Sequence, residues 1–216
     1  PTAEKEEHNG TIRVQGNEEF GVLYDGAFKI HVRGNSTKSL PKKPYKIKLD
    51  KKTDMFGFGK SKHWVLLANY YDESLMRNKL AYDFGRDIGL LGMKSTWVDC
   101  ILNGKYIGCY QFCEHMRVDS ARVNVYNWED AAESVAGKFA DEFGLSADEE
   151  DELIEQLQQD LSWVTSDSVT FNGNEAKPSK LWKKFTSDIS GGYVFELSKE
   201  FDEVSQFITT SGTLRV

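Results

Sequence analysis

Hydrophobic and polar positions alternate with period two over several short stretches, and each stretch is bounded by turn residues. This is the mark of strands with one buried face. Thr11 to Gln15 alternates, and Val22-Leu23-Tyr24 approaches Asp25-Gly26, which predicts a hairpin turn there. Ala27 to Val32 then places Phe28, Ile30 and Val32 on one face and Lys29, His31 and Arg33 on the other. Tyr45 to Leu49 repeats the pattern, with Tyr45, Ile47 and Leu49 opposite Lys46 and Lys48. His63 to Ala68 reads as a further strand. Thr96 to Leu102 and Tyr106 to Cys113 flank Asn103-Gly104, the strongest short-range hairpin signal in the chain. Along the second arm, Tyr106, Gly108, Tyr110 and Phe112 share a face opposite Ile107, Cys109, Gln111 and Cys113.

Helical periodicity interrupts these strands twice. Asp72 is placed to cap a helix running to Gly85 or Ile88, with Leu75, Leu80, Phe84 and Ile88 as its apolar side and Arg77 and Asn78 off that stripe. Ser146 and Glu149 form a capping-box pattern before Leu153, Ile154, Leu157 and Leu161 at helical spacing. Gly191 to Leu197 returns to strand, and Thr209 to Val216 follows no pattern. Residues 1–9 read as a polar, disordered tail.

Composition adds a core and charge adds a ligand class. The 216 residues are 39% hydrophobic and 12% aromatic, enough to build a packed interior. No run of eighteen apolar residues exists, so no membrane span is expected, and no leader is visible before Pro1. Between Arg33 and Lys62, ten basic side chains stand against Asp50 and Asp54, a net +8 in a chain of net −7, so the remainder carries −15. Segregation of this kind points to a phosphate-bearing or acidic ligand, with a solvated lysine-rich face as the plain alternative. From Glu129 to Asp160, twelve acidic residues stand against Lys138 alone. This segment is either an ordinary amphipathic surface helix or an acidic docking insertion.

Two familiar motifs are excluded. Lys60-Ser61 after Gly59 has the ending of a phosphate loop, but Asp54 occupies the position of the required first glycine, and a strand follows where a helix is needed. Cys100, Cys109 and Cys113 lack a partner His at ligand spacing, so they read as buried thiols rather than as a zinc site or a disulfide framework.

Several motifs in order then carry a resemblance: Arg33-Gly34-Asn35-Ser36, Pro41-Lys42-Lys43-Pro44-Tyr45-Lys46-Ile47-Lys48-Leu49, Met55-Phe56-Gly57-Phe58-Gly59-Lys60, Trp64 to Asp72, Ser74-Leu75-Met76-Arg77-Asn78, Leu102 to Gly108 and Gly191-Gly192-Tyr193. Together they resemble the CotH family, named for a bacterial spore coat protein and found also in cellulosomes and other secreted assemblies.

The resemblance implies an α+β, atypical protein-kinase-like fold: an antiparallel β-rich N-lobe with one packed helix, and part of a helical C-lobe. It divides residues 10–216 into an N-lobe over about 10–115, an acidic helical insertion over about 129–165, and an incomplete C-lobe from about 180. The implied cofactors are ATP and Mg²⁺ or Mn²⁺. The implied partner is a protein with Ser or Thr acceptors, with no nucleic acid, in a secreted, surface or spore-coat setting.

Residue by residue, Arg33, Gly34, Asn35 and Ser36 become the phosphate-side loop, and Lys46 the phosphate lysine with Lys48 as its rival on the same face. Arg77 becomes a helix-borne charge near them, and Glu114-His115 the hinge. A structural salt bridge for Arg77 and a turn contact for Glu114 are the alternatives. The family's catalytic Asp, its neighbouring Asn and its metal-binding Asp lie downstream of the Gly-Gly-Tyr strand. Asp202-Glu203 does not match them, so these groups are expected beyond Val216. The alternative function is a non-catalytic surface module that binds a nucleotide or an acidic partner.

Overall fold

The structure is a computed structural model that describes residues 6–190 and Val194. It is an α+β protein whose chain divides into two compact units, Pro1–Val123 and Asn124–Val216.

The first unit is built on a six-stranded antiparallel sheet. Its strands are β1 (His8–Gln15), β2 (Val22–Val32), β3 (Tyr45–Asp54), β4 (Lys60–Leu67), β5 (Ser95–Leu102) and β6 (Lys105–Glu114), in the order β1-β2-β3-β4-β6-β5. The sheet curls, so that its edge strands β1 and β5 line one cavity of about 660 Å³. Its inner face carries the alternation read from the sequence. Tyr24, Ile30, Val32, Tyr45, Ile47, Leu49, Trp64, Leu66, Tyr110 and Phe112 are all buried in one core with Met55 and Ala68. Each such side chain contributes about 1.5–3 kcal/mol by leaving water.

Three strand-level expectations are corrected. Asp25-Gly26 is not a turn: β2 runs straight through it, with Arg13 opposite Asp25 and Ile12 opposite Gly26. The hairpin turns instead at residues 16–21, closed by Gly16 N–H to Gly21 O at 2.8 Å. Gly26 serves packing, because a Cβ there would sit 3.0 Å from the Tyr24 hydroxyl. β1 begins at His8, inside the stretch expected to be disordered. In β6 the register shifts opposite Cys100/Ile101, and Gly108 takes φ 110°, so Ile107 packs on the same core as Tyr110 and Phe112. A bulge has moved one residue to the other face. The Asn103-Gly104 turn forms as expected, with φ of 51° and 76°.

The helix α1 (Arg77–Asp87) is attached in an unexpected way. Its apolar stripe faces outward, with Leu80 58%, Phe84 65% and Ile88 55% exposed, so it is not a helix packed by that stripe. Polar groups hold it. Asn78 donates to Asn69 Oδ1 at 2.8 Å, Asn69 donates to Gln111 Oε1 at 2.9 Å, and Gln111 donates to the Ser95 hydroxyl at 2.9 Å. Gln111 is fully buried in β6, so the chain of amides anchors the helix start to the sheet. Asn69 can occupy this junction because Asn tolerates the left-handed backbone it adopts, φ 49°. Asp72 reaches past an added turn to accept from Arg77 N–H at 2.8 Å, satisfying one open donor of the first helical turn.

The second unit has its own core. Its helices are α2 (Trp128–Phe143), α3 (Ala147–Gln159), α4 (Ser162–Ser166) and α5 (Pro178–Leu181), with a small hairpin of β7 (Val169–Phe171) and β8 (Asn174–Ala176). Asn127 caps α2, Gly144 ends it in the left-handed region, and the Ser146–Glu149 capping box opens α3. Ala131, Val135, Phe139, Leu153, Leu157, Trp163, Val164 and Val169 pack together. The acidic residues therefore coat the outside of a packed helical unit. The strand expected over Gly191 to Leu197, the acidic pair Asp202-Glu203 and the stretch from Thr209 to Val216 lie outside the described residues, apart from Val194.

Asn69→Ala strands the Gln111 and Asn78 amides, and we expect a loss of about 1–3 kcal/mol in chemical denaturation. Leu80→Ser, on the exposed stripe, should change stability by less than about 0.5 kcal/mol.

A cationic face on the sheet

The face of the sheet opposite the core collects charge because strand register aligns it. His31 on β2 pairs with Lys46 on β3, Lys46 with Val65 on β4, and Val65 with Cys113 on β6. One row along, Lys29 pairs with Lys48 and Lys48 with His63. Directly opposed residues share a face, so these side chains meet. Arg33 follows β2, its N–H bonded to Pro44 O at 3.1 Å, and His115 follows β6 with its ring 6.2 Å from that of His63.

The electrostatics of this face are dominated by closely held cations. Burial holds His63 down to about 4, with Arg117, Lys46, Lys48 and Lys62 adding to the effect. Burial likewise lowers His115 to about 4, with Lys46, Arg33, His63 and Arg117 contributing. Lys46 is pushed below its ordinary value by burial, then by Arg117 and Arg33. Glu7 acts on it in the opposite sense, but Glu7 is paired with Lys29 at 3.1 Å. Among the described residues, Arg33, Lys46, Lys48, Lys62 and Arg117 enter no ion pair. An anion placed here would relieve repulsion that the folded chain otherwise bears.

The basic island is not one continuous wall. Lys42 folds back to donate to Cys109 O at 2.5 Å and lies over the Tyr110 ring at 4.6 Å. Lys43 donates to Lys38 O at 2.7 Å, Lys51 lies over the Tyr24 ring at 5.9 Å, and Lys52 faces Asp119 at 4.0 Å. Of the two rival lysines, Lys46 is half-buried on the face and Lys48 is exposed.

The remaining expected site residues separate. Gly34, Asn35 and Ser36 open the connection between β2 and β3 and are exposed. Gly34 takes φ 96°, and a Cβ there would lie 2.3 Å from Thr37 Oγ1. His115 joins the cationic face. Arg77 does not: its side chain is 79% exposed and lies 3.8 Å from Asp72.

Glu114 points to the opposite side of β6 from Cys113 and His115. Its carboxylate accepts from Arg122 at 2.7 Å and from Lys94 N–H at 2.8 Å, and its own N–H donates to Lys94 O at 3.1 Å. The Arg122 side chain is 4% exposed, lies over Trp64 at 5.0 Å and donates to Phe58 O at 2.8 Å. This buried pair ties β6, the β3–β4 turn and the segment after β6 together.

His63, Arg117 and Arg122 went unnoticed in the sequence reading. Period two along β4 places His63 opposite Trp64 and could have found it. Arg117 and Arg122 sit in an irregular turn, where no period marks a face. Among the described residues, no group of three or more His, Cys, Asp or Glu side chains is gathered to hold a metal ion. No helix among them is long and apolar enough to cross a membrane.

Fold and face together define an α+β protein with a cationic sheet surface. The sequence profile of the family described as CotH kinase protein matches residues 30–189, and the chain belongs to that family. A search of curated proteins finds no match.

Arg122→Met leaves the Glu114 charge buried and unpaired, and the expected cost is about 3–5 kcal/mol in denaturant unfolding. The histidines set a pH dependence. Folded His63 and His115 titrate near 4, against 6.5 for an unperturbed side chain, so below 6.5 the unfolded chain binds protons that the folded one refuses. Stability is therefore highest above pH 6.5 and falls as pH drops toward 4. A His63→Gln/His115→Gln variant should flatten this slope down to about pH 5, above the ordinary carboxylate range.

Proposed function

We propose that this protein binds the phosphates of ATP on the cationic face and is the nucleotide-binding part of a protein Ser/Thr kinase. Its acceptors in this reading are spore-coat or other secreted or surface proteins. One observation carries the reading: Arg33, Lys46 and Arg117 converge on a strand-built surface and enter no ion pair among the described residues, beside two histidines kept neutral.

Lys46 is the residue assigned to the phosphates. It is half-buried and its backbone is fixed by strand pairing on both sides of β3, whereas Lys48 is exposed. Arg33 borders the same surface at the start of the Gly34–Ser36 turn. Glu114 supports the segment after β6 through Arg122, which leaves the hinge role to the chain from His115 onward.

A Mg²⁺ or Mn²⁺ ion bound with ATP would offset phosphate charge and favour phosphoryl transfer. The described residues gather no metal-ligand set, so no step through the ion is assigned to them. The cationic face equally supports a second reading, a surface module that holds a nucleotide without turning it over.

In thermal melts, ATP with Mg²⁺ should raise the melting temperature, Lys46→Ala should remove the rise, and Lys48→Ala should keep most of it. No rise with the unaltered chain would overturn nucleotide binding. Transfer of labelled γ-phosphate to a Ser/Thr-bearing acceptor protein separates the kinase from the silent module.

A further inference from the structure

We infer that the small cavity lined by Lys52, Ser61, Lys62, His63, Arg117, Asp119 and Arg122 is a subsite for a single phosphate dianion. The inference deepens the anion-binding reading of the cationic face, which shares His63 and Arg117 with this cavity.

The cavity is about 120 Å³. A single water needs only about 10–15 Å³ of such space, so a tetrahedral oxyanion has room. Its charge balance selects the ligand. Four cations and one carboxylate line it, but two of the cations are already answered: Arg122 by Glu114 at 2.7 Å and Lys52 by Asp119 at 4.0 Å. Lys62 and Arg117 are left, two positive charges with no ion-pair partner among the described residues, matching a phosphate that carries about two negative charges.

Polar atoms without partners belong to two residues that line the same cavity. The Arg122 side chain is 4% exposed, yet its buried Nε has no hydrogen-bond partner. Nδ1 of His63 is also buried and unpartnered. Buried donors are nearly always satisfied, and Arg122, which lines this cavity, carries one that is not. The guanidinium of Arg117 offers the planar fork that oxyanions favour. The Ser61 hydroxyl, engaged with the His63 backbone at 3.0 and 3.3 Å, keeps this end of β4 in place.

The terminal phosphate of a nucleotide and free phosphate share this chemistry, and calorimetry at low ionic strength distinguishes them. Inorganic phosphate titrated into the full chain should bind once per chain, and a Lys62→Ala/Arg117→Ala variant should bind it roughly tenfold or more weakly. Neither side chain has an ion-pair partner to lose among the described residues, and an unchanged circular dichroism melt checks that the variant folds. If ATP then competes with phosphate while AMP does not, the nucleotide's terminal group is the occupant; if both bind together with phosphate, the occupant is free phosphate. Equal phosphate affinity in the variant overturns the subsite. Absence of phosphate binding alongside a Lys46-dependent ATP signal also overturns it and leaves the nucleotide reading standing, whereas absence of both signals removes the two together.

Discussion

Everything on the functional side of this protein depends on the alternation along β3. The strand is flanked by β2 and β4, so both its edges are paired and its register is set on each side. Burying Tyr45, Ile47 and Leu49 in the core forces Lys46 and Lys48 onto the other face. A one-residue slip would put two ammonium groups into the core, which is why the register is firmly specified. The hydrophobic core thus holds like charges together on its reverse side, and repulsion among them is a cost carried by the packing.

That cost is visible in the two histidines. Burial and the surrounding cations keep His63 and His115 neutral far below their ordinary range. Several neighbouring cations are answered within the chain: Lys42 with a carbonyl and an aromatic ring, Lys52 with Asp119, Arg122 with Glu114. Arg33, Lys46, Lys62 and Arg117 enter no ion pair among the described residues.

Polar contacts also do structural work usually given to apolar ones. The Asn78–Asn69–Gln111–Ser95 chain fastens α1, while Leu80, Phe84 and Ile88 face out. In residues 69–78 the side chains of Asn69, Asp72 and Asn78 shape the turn and the helix start, and Asp72 accepts from the backbone N–H of Arg77.

Local pattern by itself determined the alternating core faces of β2 and β3, the Asn103-Gly104 hairpin, the α3 capping box and the concentration of basic residues after Arg33. Each depends on neighbours within a few positions, where period, turn chemistry and capping act directly. The Asp25-Gly26 turn, the faces of β6 and the inward side of α1 were misjudged for the converse reason. Pairing with β1, the bulge at Gly108 and a buried amide network override local preference, and none is encoded within one segment. The site divides in the same way. Lys46, Arg33 and His115 were legible as charges on strands or their ends. Only the tertiary structure brought Arg117 and His63 to them and turned Glu114 away to Arg122, because register across four strands decides which distant residues share a face.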